Sequence, residues 1–583
     1  MKRRMLFVLS LMICLVGLIE AAEFGYPVEG EPWYFIKTAF SDAASLSKGS
    51  WRVSRIAVNG AGVRDFVLYQ GGQAVLGKAI RGQQPFEVKA RVSWQPNQNY
   101  EIQLQLENIK TKKTDHLSQK VSSPALKGYW DPAWKNYLAL VIAEENGIQR
   151  LGHPVQATIG VLANYLKPGA EIRVIKGERT GNDVAYEEIP CQVYDLVTWS
   201  DPEVLAVEQK DEKTGNPIVR YQPTTSLSIA FLAYLKPKEK ATYLVFYNNP
   251  AAAKPAYATD LKVLGAGTGQ PIGKTIENSF YKATLNKKSG VIYEITEKSS
   301  KTLFEHKLET NGSIHWNPCL YSPPHTWTHT SDWENPPYSE VSGYLFYSIR
   351  IAAPLPFYPQ ALCSVTYHFY AGVPYILIQT TIEITENMFV QALRNGEIVF
   401  NKKVFKNVGY KPMDGRVEVI DLQRSRMHPD HVVTLRPDTP WVTFYNQDKG
   451  VAFANLHLDL AMTNVEGGEA STEQPFVYIQ NGPWYYLARG LVYSFGTNNQ
   501  TRMLPLRRGS VYSERVAFYP FSFKKEQGYS AQADSLFNML KYPLSIMESI
   551  ETYAESPEGW VTPILTEPFE EGVERAIGAK KKK

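Results

Sequence analysis

Eight of the ten histidines fall between His306 and His457, so nearly all side chains that titrate near neutral pH sit in one stretch. The densest run is His315-Trp316-Asn317-Pro318, then His325-Thr326-Trp327-Thr328-His329-Thr330-Ser331-Asp332-Trp333-Glu334, bracketed by Pro323-Pro324 and Pro336-Pro337. Those prolines disfavour a long helix. In an extended segment alternate side chains share a face, which places His325, Trp327 and His329 together and turns Thr326 and Thr328 away. Two bases flanking an aromatic ring suit a carbohydrate cleft. A sugar stacks its apolar C–H face on rings such as Trp327 and Trp333, and neighbouring polar groups bond its hydroxyls. Three readings compete for the segment. In one, an imidazole is a general base oriented by Asp332 or Glu334, with a nearby tyrosine as acid. In another, His325 and His329 converge with Asp332 or His315 on a divalent ion, Zn²⁺ or Ca²⁺; no other cofactor is indicated. In the third, the tryptophans plug a sheet edge and the histidines bond backbone carbonyls.

Further polar groups recur downstream. Arg424, Arg426, His428, Asp430 and His431 form a cluster that would neutralise a uronate, or a solvated loop. Asn481-Gly482-Pro483-Trp484-Tyr485-Tyr486 with Arg489 mixes the donors and aromatics of a sugar cleft, although a strand packing its aromatics inward explains it equally. Asn446, Asp448, Asn455, His457 and Asp459 are spaced along a hairpin pattern and are candidates to line the same concave face. No Walker loop, dinucleotide fingerprint, nucleophile elbow or His-Glu-x-x-His occurs.

The elements that must hold these groups are mainly β. The chain of 583 residues is too long for one core, so several domains are expected. Its 35 Tyr and 12 Trp with 40 Gly and 37 Pro suit short strands punctuated by turns. Trp51 to Tyr69 reads as two strands about Asn59-Gly60, a dipeptide that accepts a tight hairpin turn. With strands at Phe86 to Trp94 and Tyr100 to Leu106 it makes an N-terminal β-sandwich over 23–123. A second, barrel-like β-domain follows over 124–264. Its best segment is Leu227 to Leu235, Lys236-Pro237-Lys238-Glu239 and Ala241 to Tyr247, read as a hairpin. The Gly-rich 265–273 links it to a third domain over 275–523. There Ile376, Ile378, Thr380, Ile382 and Ile384 alternate with Tyr375, Leu377, Gln379, Thr381 and Glu383, which predicts a long strand with one apolar side. Residues 524–583 contribute a short helix, with Ala533, Leu536, Phe537 and Leu540 at helical spacing, Ser530 as its cap and Pro543 beyond it. That helix is expected to pack on the last sheet.

The formal net charge is +4, partly carried by terminal lysines, so no basic face for nucleic acid is expected. Lys2, Arg3 and Arg4 precede an apolar run from Met5 to Ile19, shorter than the roughly 20 residues that span a bilayer. This predicts a signal peptide over 1–22 with cleavage near Ala22, a secreted or periplasmic protein and no membrane span after cleavage; retention as an N-terminal anchor is the alternative. Cys191, Cys319 and Cys363 remain downstream, as buried free thiols or with one bridge between Cys319 and Cys363. Nothing in the sequence sets the oligomeric state.

Ile276-Glu277-Asn278-Ser279-Phe280-Tyr281-Lys282-Ala283-Thr284-Leu285, followed by Lys288-Ser289-Gly290-Val291-Ile292, resembles the opening hairpin of galactose-mutarotase-like supersandwich domains, found in polysaccharide lyases and in the C-terminal part of α-mannosidases. The preceding block, with Leu232 to Leu235 and Tyr243 to Pro250, resembles the barrel-like domain placed before that supersandwich in exo-acting rhamnogalacturonan lyases and their bacterial relatives. The family continues into an α/α toroid, for which residues 524–583 leave little room. The resemblance implies a polysaccharide lyase acting by β-elimination on a uronate-containing polysaccharide or oligosaccharide. His325 or His329 would be the base, Tyr338 or Tyr485 the acid, and Arg489 with Asn481 the neutraliser of the carboxylate. Two other readings stand beside it. One is an exported carbohydrate-binding or scaffold protein without turnover. The other is a glycoside hydrolase, which needs two carboxyl groups about 5–10 Å apart, with Asp332 and Glu334 as candidates.

Overall fold

The structure is a computed structural model. It describes residues 22–553 apart from 26–34, 76–78, 93, 95–97, 124–129, 132, 135, 163–165, 167–171, 181–182, 200–208, 211–216, 219–223, 266–271, 306–317, 326, 413–414, 424–430, 464–470, 481–483 and 494–502. The expected export signal therefore lies outside the described residues. Among those described, no helix is long and apolar enough to cross a membrane.

The fold is mainly β, as the composition predicts. The first sandwich packs a sheet built on Phe35–Phe40, Phe86–Arg91 and Phe66–Gln70 against one built on Thr114–Ser122, Asn99–Asn108 and Ser50–Val58. The predicted turn is present: Asn59 and Gly60 both take positive φ, at 49° and 83°, between Ser50–Val58 and Ala61–Val63. Trp51, Ile56, Leu104 and Val88 fill the space between the sheets.

The second domain opposes a five-stranded sheet, containing Lys240–Tyr247 and Asn136–Ala143, to the three strands Arg150–Leu162, Thr224–Leu235 and Cys191–Thr198. Seven consecutive residues of Lys240–Tyr247 are buried, because the sheet is covered on both faces. Leu244 and Phe246 join the core of the first sandwich, while Tyr243 and Val245 face the three-stranded sheet. The hairpin expected at 236–239 is corrected here. Thr224–Leu235 pairs with Arg150–Leu162 and Cys191–Thr198, and Lys240–Tyr247 pairs with Asn136–Ala143 and Arg173–Thr180. The turn thus carries the chain from one sheet to the other. Lys238, with φ of 63°, gives its backbone N–H to Glu144 Oε2 at 3.0 Å.

The third domain is the supersandwich. Its opening hairpin is as predicted, Tyr281–Leu285 with Ile292–Glu297. A nine-stranded antiparallel sheet runs in the order Tyr338–Ser342, Phe346–Leu355, Tyr358–Tyr370, Ile376–Ile384, Val511–Ser522, Val451–Thr463, Trp441–Asn446, Asn407–Lys411, Glu418–Asp421. A six-stranded sheet runs Thr328–His329, Cys319–Tyr321, Ala392–Asn401, Trp484–Tyr493, Ser471–Ile479, His431–Thr434. Ile376, Ile378, Ile382 and Ile384 point between the sheets with Phe400, Leu487, Phe453 and Phe518, which is the alternation read from the sequence. A polar layer crosses that interior. Arg489 Nε donates to Glu514 Oε1 at 2.7 Å, and Asn395 Nδ2 donates to Glu514 Oε2 and Thr380 Oγ1, both at 2.7 Å.

The helix Ser530–Lys541 buries Ala533, Leu536, Phe537 and Leu540 against Ala454, Leu456 and Trp441 on the far side of the nine-stranded sheet. The predicted stripe is the buried one. Ser530 is the first helical residue and Tyr529 takes the N-cap position, with no side-chain cap. Beyond the helix, Ser545–Tyr553 returns to pair antiparallel with Asn136–Ala143, adding a strand to the second domain. The C-terminal region therefore belongs to two domains.

Candidate functional site

The outer face of the six-stranded sheet, turned away from the sandwich interior, gathers the chemistry. In Ala392–Asn401 the side chains of Leu393, Asn395, Ile398 and Phe400 point inward. Arg394 and Glu397 are three apart and would lie on opposite faces of a regular strand. A bulge between Asn395 and Ile398 adds a residue opposite Ala488, and Gly396 there takes φ of 66°, a conformation glycine adopts without a Cβ penalty. The extra residue turns Glu397 outward beside Arg394, whose Nη1 donates to Glu397 Oε2 at 3.0 Å.

The two adjoining strands deliver the rest by register. Cys319 pairs with both Arg394 and His329, so the three share the outer face. His329 Nδ1 lies 3.7 Å from Glu397 Oε1, and Cys319 Sγ lies 3.9 Å from Glu397 Oε2. All three residues are buried, and their ligand atoms lie within 4.8 Å of one another. Burial, then the Glu397 carboxylate, pushes the Cys319 thiol well above its ordinary value, so it is protonated. The free-thiol alternative is the one present, for Cys191, Cys319 and Cys363 alike. Asp332 Oδ2 accepts the His329 backbone N–H at 2.9 Å and fixes the chain as it leaves the sheet.

Planar groups flank this triad. Trp327 stacks on Tyr321 with centroids 5.3 Å apart. The Arg394 guanidinium lies 3.9 Å from the Trp327 centroid and 5.1 Å from that of Phe476. Farther along the same face, Tyr478 and Tyr486 are half-buried with centroids 5.3 Å apart.

Alternation predicts Trp327 and His329 on one face, and their rings are 6.5 Å apart. His325 does not join them. It is exposed and stacks on Phe357 at 5.0 Å, edge-on to Tyr358 at 5.7 Å, because a turn at Pro323-Pro324 breaks the extended geometry on which the alternation depends. The ion ligands expected with His329, namely His325 and Asp332, do not gather; Cys319 and Glu397 do. Tyr485 and Arg489 are a correction for a related reason. They alternate with Trp484 and Tyr486 and so face the interior, where the Tyr485 hydroxyl donates to Leu422 O at 3.3 Å and Arg489 pairs with Glu514. Neither shares the face of His329.

The other candidates have structural partners. Trp333 is buried and donates from Nε1 to Pro354 O at 2.7 Å. Glu334 is exposed and pairs with Lys288. Tyr338 sits on the edge strand of the nine-stranded sheet, with Lys274 Nζ 5.5 Å from its ring. Asn446, Asn455, His457 and Asp459 belong to the nine-stranded sheet. Asn446 holds Val404 O, and Asp459 pairs with Arg515 and Lys541. Asn481, Arg424, Arg426, His428, Asp430 and His315 lie outside the described residues. Glu397 and Arg394 were missed. Their signal was Arg394-Asn395-Gly396-Glu397 interrupting an apolar strand, since a glycine inside a strand marks a bulge.

No protein-family model matches the chain, and no curated protein is similar to it in sequence. Solved structures similar to it include an alpha-mannosidase from Enterococcus faecalis V583, at TM-score 0.42 and 9% identity over 72% of this chain and 46% of that one. A protein in the glycosyl hydrolase family 38 from Enterococcus faecalis is similar at TM-score 0.41 and 9% identity, over 72% of this chain and 48% of that one. A galactose mutarotase-like protein from Lactobacillus casei ATCC 334 is similar at TM-score 0.30 and 10% identity, over 42% of this chain and 99% of that one. The chain thus spans about half the length of the two proteins from Enterococcus.

Proposed function

We propose that the chain is an exported carbohydrate-active protein that holds an acidic sugar on the outer face of the six-stranded sheet. The observation that carries this reading is the Tyr321–Trp327–Arg394 group beside the His329–Glu397 pair, with Tyr478 and Tyr486 on the same face. Half-exposed tyrosine rings suit the C–H faces of a pyranose, and indole, phenol and guanidinium edges suit its hydroxyls. A guanidinium beside them suits a uronate carboxylate. Export is supported by Lys2, Arg3 and Arg4 ahead of the apolar run from Met5 to Ile19.

A second reading, β-elimination, is favoured by one specific observation: a base, His329, and a cation, Arg394, stand on the same face. Here His329 removes the proton beside the uronate carboxyl, the C–H electron pair forms the new C=C bond as the bond to the glycosidic oxygen breaks, that oxygen takes its proton from solvent, and Arg394 neutralises the carboxyl. The experiment is a panel of pectic, algal and glycosaminoglycan oligosaccharides tested for binding by calorimetry and for unsaturated product by far-ultraviolet absorbance. Binding to uronate-containing sugars that weakens about tenfold in Tyr486→Ala, ~1.4 kcal/mol, supports the first reading. Unsaturated product that disappears in His329→Ala supports the second. Absence of binding across the panel overturns both.

A further inference from the structure

We infer that Cys319, His329 and Glu397 form a binding site for one divalent transition-metal ion, with Zn²⁺ the best match. Thiolate, imidazole and carboxylate are the three side-chain types that hold zinc. Tetrahedral zinc, bonded at about 2.3 Å to sulfur and about 2.0–2.2 Å to nitrogen and oxygen, sets its ligand atoms a little over 3 Å apart. His329 Nδ1 lies 3.7 Å from Glu397 Oε1, Cys319 Sγ lies 3.9 Å from Glu397 Oε2, and one ligand atom from each residue lies within 4.8 Å of the others, so drawing them onto one ion asks for side-chain adjustment and no movement of the strands. The sulfur and nitrogen donors disfavour Ca²⁺ and Mg²⁺, which take oxygen ligands.

The surroundings are those of a supported site. Cys319 and His329 lie on short strands locked by mutual register, and Glu397 is turned to them by the bulge at Gly396. Arg394 bonds the Glu397 oxygen that faces the thiol, and Asp332 anchors the His329 backbone; partners of this kind orient metal ligands. Three protein ligands leave a further coordination position for water or another donor. Binding converts the Cys319 thiol to thiolate, so the S–H bond breaks, an S–metal bond forms and the proton passes to solvent.

The site goes beyond the carbohydrate reading and makes one demand on it. An ion held through the His329 nitrogen that faces Glu397 occupies that lone pair, so zinc loading suppresses any elimination in which that nitrogen is the base.

The test uses the whole protein, stripped with a chelator and dialysed against Zn²⁺ alone. About one ion per chain is expected to remain, and zinc at background level overturns the site. Loaded with Co²⁺, the protein is expected to show a thiolate-to-cobalt band in the near ultraviolet that is lost in Cys319→Ser and kept in Cys191→Ser and Cys363→Ser. A band that survives Cys319→Ser overturns the assignment. Because the fully buried Cys319 is also a packing residue, a second measurement needs no variant. Calorimetry of Zn²⁺ binding in buffers of different ionisation enthalpy is expected to report release of about one proton per ion, and no release overturns the site. None of these readouts contains sugar, so their failure leaves glycan binding standing, and failure of glycan binding leaves the metal site standing.

Discussion

The guanidinium of Arg394 lies 3.9 Å from the centre of the Trp327 ring while its Nη1 donates to Glu397. One side chain thus joins the aromatic layer to the buried carboxylate. Lysine would keep the charge but lose the planar fork that stacks and bonds at once. Arg394→Lys is expected to weaken binding of a uronate-containing oligosaccharide about tenfold, ~1.4 kcal/mol, while a neutral oligosaccharide of the same length is affected less. Calorimetric titration of the two ligands checks this. Equal loss for both would show that Arg394 does not read the carboxylate.

Arg489 and Glu514 have the opposite character. Their side chains are 4% and 1% exposed, and the pair ties the two sheets together inside the sandwich. Removing one partner leaves a buried charge without its counter-ion, so Glu514→Ala is expected to destabilise the third domain by about 3–5 kcal/mol. Calorimetric unfolding should show the lowered transition, and protein that remains folded should bind sugar as the parent does.

Arg150 joins the second domain to the helix of the third. It is fully buried, pairs with Glu144 at 2.9 Å and donates to Met539 O at 2.5 Å in the last turn, where carbonyls lack helical partners. Glu144→Ala is expected to cost about 3–5 kcal/mol and to make amides of the 530–541 helix exchange faster. Unchanged exchange there would show that the contact does not couple the domains.

Acid should weaken the fold in two stages. Burial lowers His153 and His368 to about 4 and His457 to about 3, the Arg489 charge adding to the last. A depressed folded value means that the unfolded chain binds more protons, so stability is lost as pH falls below 6.5 toward 4. The second stage belongs to Glu144. Burial alone would raise its carboxyl, but bonds from Lys238, Arg150, Asn146 and Ile148 hold it at about 2. Its contribution is present above 4.5 and is lost toward pH 2. The thermal midpoint is expected to fall between pH 7 and pH 5, with a shallower fall in His368→Phe. A flat profile over that range contradicts the first stage.

Patterns set by local geometry were readable in the sequence. The alternation from Ile376 to Ile384, the turn at Asn59-Gly60 and the stripe from Ala533 to Leu540 each follow from a period of 2 or 3.6, or from the φ a residue accepts. Non-local matters were not. Whether Thr224–Leu235 and Lys240–Tyr247 pair depends on which strands compete for their edges, and those partners lie far away in the chain. In the site, Trp327 and His329 share a face as alternation requires, but the parity of Glu397 is reversed by one bulge residue. Cys319 reaches it only through cross-strand register. The local mix of donors and aromatics points Tyr485 and Arg489 to the site, whereas their parity sends them inward.

The strand Ser545–Tyr553 lies against Asn136–Ala143, so the second domain acquires one edge only after the whole supersandwich has been synthesised. Until then the Asn136–Ala143 edge offers unpaired backbone groups to any passing strand, and closing so long a loop is slow. Ser545–Tyr553 then acts as a clasp, fastening the segment that follows the supersandwich to the second domain.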